Sequence, residues 1–261
     1  MASTLKAAQW FSIQKPNPRA SIRIFCFPYA GGGSQIYRTW PQSLLSDVEV
    51  CTAQLPGRGT RMREQPFDNI LPMVEALAGA IEPYLDKPFA FFGHSMGAMI
   101  SFELVRQLRA ARGIEPAHLF VSGRRAPQIP NEDPITYNLP EAEFCEELLR
   151  LNGTPKEVID QPELMQIMLP LLRADFSVVE TYAYRPDVSL DCPITVFGGL
   201  QDTEVTRDQL EAWREQTTAS CTLRMLPGNH FFLNDVQAQA ILLRVISKEL
   251  QQLLQSKISR P

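Results

Sequence analysis

Phe89-Ala90-Phe91-Phe92-Gly93-His94-Ser95-Met96-Gly97-Ala98-Met99-Ile100 is the stretch of this 261-residue chain that decides the fold. An apolar run of strand length enters the G-x-S-x-G pentapeptide 93–97, and the residues from Ala98 to Val105 leave it with helical character. Strand, G-x-S-x-G and helix in that order predict a nucleophile elbow, a sharp turn that holds its serine in a strained backbone conformation. A side chain two positions either way would collide with the neighbouring strand or helix, so glycine stands at both. Ser95 is the expected nucleophile; the bland alternative is an ordinary strand-to-helix turn.

Outward from the elbow the same rhythm continues. Ile22–Phe27, Val48–Ala53, His118–Ser122, Ile194–Phe197 and Cys221–Leu226 read as strands. Helical patterns cover about Ile70–Leu85, Met96–Ala111, Thr206–Gln216 and Val236–Leu254. Such alternation predicts an α/β fold with a mostly parallel sheet covered by helices, its active site at the carboxyl ends of the strands. One segment breaks the pattern. From Ala126 to about Arg185 there are helices and no strand, opened by Pro127, Pro130, Pro134 and Pro140. A helical lid over the site is expected there, with a fixed helical decoration as the alternative.

Composition narrows the class. Hydrophobic content of 44% and charged content of 21% are those of an ordinary globular domain. A net charge of −4 argues against a nucleic-acid surface. No apolar run approaches the length of a membrane span, and Met1–Ala20 carries no charged-then-apolar signal pattern. Five cysteines form no C-x-x-C pair, and three histidines are not clustered with them. The expectation is a reduced, cytoplasmic protein with no metal.

A serine hydroxyl is a poor nucleophile until a base takes its proton. His94 adjoins Ser95, and its side chain must point away. His118 opens a strand, where packing or capping is the simpler role. His230, in Pro227-Gly228-Asn229-His230-Phe231-Phe232, follows the last strand and is the expected base. The acid that orients it is expected at Asp202, after Gly198-Gly199-Leu200-Gln201. Asp133, beyond the strand at 118–122, is the competitor. An oxyanion hole needs two backbone donors. One is the N–H of Met96. The other is expected from Ala30, in Pro28-Tyr29-Ala30-Gly31-Gly32-Gly33-Ser34. A phosphate cradle is the rival reading of that loop, but no Gly-Lys-Ser/Thr follows it.

With these residues the chain resembles the type II thioesterases that accompany nonribosomal peptide and polyketide synthases. The resemblance is carried by Phe25-Cys26-Phe27-Pro28-Tyr29-Ala30-Gly31-Gly32, Leu55-Pro56-Gly57-Arg58-Gly59-Thr60-Arg61, the elbow, Ser122-Gly123-Arg124-Arg125-Ala126-Pro127 and Gly228-Asn229-His230-Phe231-Phe232-Leu233. It covers about residues 22–250. It implies an α/β-hydrolase fold, the triad Ser95, Asp202 and His230, oxyanion donors at Ala30 and Met96, and a lid over about 126–185. It also implies a substrate: acyl groups on the phosphopantetheine arm of acyl or peptidyl carrier proteins, cleared without a cofactor. Gln201 and Asn229 depart from the pattern, where an acidic and a small or acidic residue would be expected.

Three expectations follow. Phe144, Leu148, Met165, Met168, Leu172 and Phe176, at roughly helical spacing, should line an acyl pocket under the lid. Carrier proteins are acidic in this family, so docking calls for a local basic patch; Arg58, Arg61, Arg124 and Arg125 are its candidates. The chain should act as a monomer. The rival functions are a carboxylesterase, a medium-chain acyl-carrier hydrolase, and a carrier-binding module without catalysis.

Overall fold

The computed structural model describes residues 9–154 and 156–258; residues 1–8, part of the segment read for a signal pattern, lie outside them. The elements in chain order are β1 (Phe11–Ser12), β2 (Ile22–Phe27), α1 (Trp40–Ser43), β3 (Val48–Ala53), α2 (Ile70–Ile81), β4 (Phe89–His94), α3 (Met96–Arg112) and β5 (His118–Ser122). They continue with α4 (Glu141–Arg150), α5 (Lys156–Ile159), α6 (Pro162–Glu180), β6 (Ile194–Gly199), α7 (Arg207–Glu211), β7 (Cys221–Leu226) and α8 (Val236–Ile258). All six strands expected from the sequence, the run feeding the elbow included, are present. The two-residue β1 and the short α1 and α5 were not legible.

The strands form one sheet in the order β1-β3-β2-β4-β5-β6-β7. Every neighbouring pair is parallel except β1, which runs antiparallel to β3 along the edge. Period-two alternation divides the strand side chains between two cores. Phe25, Phe27 and Phe91 face one way and pack with Leu77 of α2 and Val105 of α3. Ile24, Cys26 and Phe92 face the other way, against Trp40 of α1 and Leu242 and Ile246 of α8. Central strands buried on both faces explain why β4 reads as a continuous apolar run rather than an alternating one.

From β2 the chain steps to β3 on one side and then to β4 on the other. The crevice beyond the carboxyl ends of β2 and β4 is therefore a topological switch point, the usual ligand site of such sheets. The segment between β5 and β6 holds α4, α5 and α6, with no strand. Phe144, Leu148, Met165, Leu169 and Leu172 form a small core of their own within it.

Candidate active site

Ser95 stands at the switch point with φ 52° and ψ −113°, left-handed for a residue with a β-carbon. The turn is too tight for any other flank than glycine. A β-carbon on Gly93 would lie 2.0 Å from the Gly97 carbonyl oxygen and 2.3 Å from Ser101 Oγ; one on Gly97 would lie 2.0 Å from Phe27 O. The Ser95 N–H donates to Ser122 O at 2.8 Å, tying the elbow to the end of β5. Behind it, His94 is fully buried, its Nδ1 2.8 Å from Ser122 Oγ and its ring 5.3 Å from that of His230. Burial, and then the proximity of His230, hold the His94 pKa well below the usual range. His94 is thus a neutral packing partner for His230 and no rival base. His118 is a core residue: its Nε2 lies 2.8 Å from Thr195 Oγ1 and its ring stacks on Phe120 at 4.2 Å.

Of the two candidate acids, Asp202 meets the histidine. His230 Nδ1 lies 2.9 Å from Asp202 Oδ2, and Asp202 Oδ1 accepts the Glu204 N–H at 2.9 Å. The Asp202 side chain is wholly buried. A carboxylate only accepts, so this pairing puts the proton on Nδ1 and leaves Nε2 as the basic nitrogen. Among the described residues no direct hydrogen bond joins His230 to Ser95; both line one cavity. Asp133 instead pairs with Arg125. The loops carrying Asp202 and His230 are stitched together by Gln201. Its N–H donates to Gly228 O at 3.0 Å, and its side-chain oxygen accepts the Gly228 N–H at 2.6 Å. An amide oxygen serves here, which accounts for the departure at Gln201.

The cavity above Ser95 has a volume of about 610 Å³, and Ala30, Gly123, Leu148, Leu172, Phe176 and Phe231 are among its walls. The N–H groups of Ala30 and Met96 engage no acceptor among the described residues. The pocket expectation needs correction. Leu148, Leu172 and Phe176 line the cavity, whereas Phe144, Met165 and Met168 do not. Those three belong to the packing between α4 and α6, with Phe144 and Phe176 edge to face at 5.3 Å. Two amphipathic helices must first cover each other's apolar faces, and only the leftover side chains reach the ligand space.

The basic-patch expectation is also corrected. Arg58 is buried and forms a two-pronged pair with Asp175 of α6, at 2.7 and 2.8 Å. Arg61 is buried against Glu64 at 2.8 Å, with its guanidinium 4.1 Å over the Trp10 ring. Arg125 is buried against Asp133. Arg124 is half-buried between Met99 Sδ and Val179 O, and burial, then the neighbouring Arg125, lowers its pKa to about 10. Loop position at the active edge suggested exposure, but three of these arginines are buried against carboxylates of the same chain. Asp175 is a residue that the sequence reading missed. Its one signal is placement: a lone acid three residues after Leu172 on the apolar stripe of a helix calls for a buried partner.

The family model of the thioesterase domain matches residues 22–250. The chain belongs to the thioesterase family. The thioesterase is 47% identical over 250 residues to the gramicidin S biosynthesis protein GrsT of Aneurinibacillus migulanus, covering 96% of this chain and 97% of that one. Among solved structures, the RedJ thioesterase from the prodiginine biosynthetic pathway in Streptomyces coelicolor is 41% identical with a TM-score of 0.83, covering 90% of this chain and 87% of that one. The type II thioesterase BorB from the borrelidin biosynthetic cluster is 34% identical with a TM-score of 0.84, covering 92% and 97%. The thioesterase has the α/β-hydrolase fold, a mostly parallel sheet flanked by helices. Among its described residues no helix is long and apolar enough to cross a membrane.

Proposed function

We propose that this thioesterase releases acyl groups from the phosphopantetheine arm of carrier proteins in nonribosomal peptide or polyketide synthesis, by covalent catalysis at Ser95. The observation that carries the reading is the 2.9 Å contact of Asp202 with His230, which lines the same cavity as the strained Ser95. His230 Nε2 takes the Ser95 proton as Oγ attacks the thioester carbonyl. The carbonyl oxygen gains charge, which the N–H groups of Ala30 and Met96 stabilise. Collapse expels the pantetheine thiol, protonated by His230. Water, deprotonated by the same imidazole, then cleaves the acyl-serine and frees the acid.

The carrier partner is inferred from the likeness to type II thioesterases, and no cofactor enters any step. The helical segment 126–185 acts as the lid, and the single chain supplies the whole site, which suits a monomer. Five free thiols suit a cytoplasmic location. The test is Ser95→Ala on acyl-loaded carriers and acyl-pantetheine, with matched oxygen esters beside them. Thioester turnover is expected to fall roughly 10⁴-fold or more with folding intact. Retention of a tenth of the activity removes Ser95 as nucleophile, and a preference for oxygen esters replaces the thioester reading by an esterase.

A further inference from the structure

The turn that carries Ala30 is held from outside itself. Gly32 N–H donates to Tyr29 O at 2.9 Å, and Gly31 has φ +74°. With Ala30 at negative φ, this is a type II β-turn, Ala30 and Gly31 its central residues. Types I and II differ by a flip of the peptide between the central residues, so something must choose. That peptide's N–H, on Gly31, donates to Asp175 Oδ2 at 2.7 Å. Flipped, the peptide would turn the Ala30 carbonyl toward the carboxylate, and oxygen would face oxygen. The same Asp175, with none of its surface exposed, takes both prongs of Arg58. Arg58 Nη1 also donates to Gly32 O at 2.9 Å. A β-carbon on Gly31 would lie 2.7 Å from Leu172 Cδ2, so α6 packs directly on the turn.

The turn is thus fixed at Tyr29 O, Gly31 N–H and Gly32 O, and the Ala30 N–H is left unengaged. Charge-assisted bonds are the strong class, and a bidentate Arg–carboxylate pair adds geometric specificity as well as energy. We propose that Asp175 and Arg58 are positioning residues: they hold the 29–32 turn, and with it the Ala30 N–H, in place beside the reacting carbonyl, and they make helix α6 of the lid part of the catalytic frame. The proposal rests on the reading of Ser95 as nucleophile and Ala30 as oxyanion donor.

The test compares Asp175→Ala, Asp175→Asn and Arg58→Lys with wild type and Ser95→Ala, on butyryl-pantetheine. Three quantities are read: kcat and KM, inhibition by the matching trifluoromethyl ketone, and the melting temperature. The ketone forms a tetrahedral alkoxide on the serine and so reports oxyanion binding. Asp175→Ala is expected to lower kcat about 10²-fold, the scale of one oxyanion donor, with KM within about threefold and the ketone Ki rising in parallel with the loss. Asn keeps an acceptor for the Gly31 N–H, so it is expected to lose about tenfold less than Ala. Arg58→Lys, one charge without the fork, is expected to lose kcat and ketone affinity together; where Asp175→Ala does not fold, it and Asn carry the test. Folded variants with wild-type kcat, equal losses for Ala and Asn, or a kcat loss without a ketone effect overturn the positioning role. Turnover by Ser95→Ala would instead overturn the thioesterase mechanism on which the proposal stands.

Discussion

Ser95, Asp202 and His230 come from three loops 28 to 135 residues apart, yet each is fixed by a different local device. Ser95 is held by backbone: a positive φ of 52° costs on the order of 1–3 kcal/mol, and the packed elbow sustains it. His230 is held by its acid, and the acid by the Glu204 N–H and the Gln201 clamp. Asp202→Asn therefore cannot be neutral. Its amide must either present NH₂ to the Glu204 N–H, donor against donor, or present NH₂ to His230 Nδ1 and force the wrong tautomer. The expected loss in kcat is roughly 10³–10⁴-fold. Asp133→Asn, which only weakens the Arg125 pair, is expected to cost less than about tenfold. Steady-state kinetics on acyl-pantetheine decide, and the reverse ranking would move the acid to the lid entrance. At this scale the elbow was legible because its steric demand is local: glycine at 93 and 97 is required by atoms a few residues away. Asp175 was not, because its partners Arg58 and Gly31 lie 117 and 144 residues distant. Gly-rich and Arg-containing motifs mark where a loop is constrained without naming the acid that constrains it.

In the segment proposed as the lid, the two longer helices, α4 and α6, have unequal attachments. α6 is anchored by the buried Asp175, so its fixed geometry belongs to the hydrolase body. α4 reaches the acid loop through Arg150, whose fork meets Glu204 at 3.1 and 3.3 Å and Glu147 at 2.8 and 2.9 Å. These groups line the cavity and stay partly in solvent, with 56% of the Arg150 side chain exposed. An exposed pair is worth no more than about 1 kcal/mol and is screened by salt. α4 is accordingly the edge expected to release if the proposed lid opens. Glu204→Gln keeps the size and the backbone N–H that holds Asp202 while removing the charge. It is expected to change kcat by less than about fivefold, the equivalent of that energy, and to abolish the salt dependence of turnover. Identical salt curves for variant and wild type would show that this pair does not gate opening. The helical character of this segment was readable, and in α4 the acids of the first turn and Arg150 in the last complement the helix dipole. Which of its apolar residues meet the ligand was not readable. Phe144, Met165 and Met168 share the helical spacing of Leu148 and Leu172, and only the angle between the two helices sorts them into lid core and cavity wall.

For the whole molecule, the sheet that positions Ser95, Asp202 and His230 also buries two of the three histidines in neutral form. The mostly parallel sheet followed from the βαβ rhythm, whereas the antiparallel β1 did not, because two edge residues leave no period to read. His118 is 4% exposed on β5, and burial lowers its pKa to about 4; His94 is lowered as well. The sign follows from proton binding. Above pH 6.5 the imidazole is neutral in both folded and unfolded chains, and it contributes no pH dependence. Between 6.5 and about 4 the unfolded chain takes up a proton that the folded core refuses, so stability falls as pH drops through this window. His118 alone should cost about 2 kcal/mol between pH 8 and pH 5. His118→Gln removes the titration. It also removes the stack on Phe120 and is expected to be less stable than wild type at pH 8. The decisive quantity is the difference between the two pH values, read from urea midpoints and slopes. In the variant that difference should shrink by about 2 kcal/mol, with His94 and the carboxylates supplying what remains. An unchanged difference would mean that His118 titrates alike in the folded and unfolded chain, and that burial beside Thr195 and Phe120 does not hold it neutral.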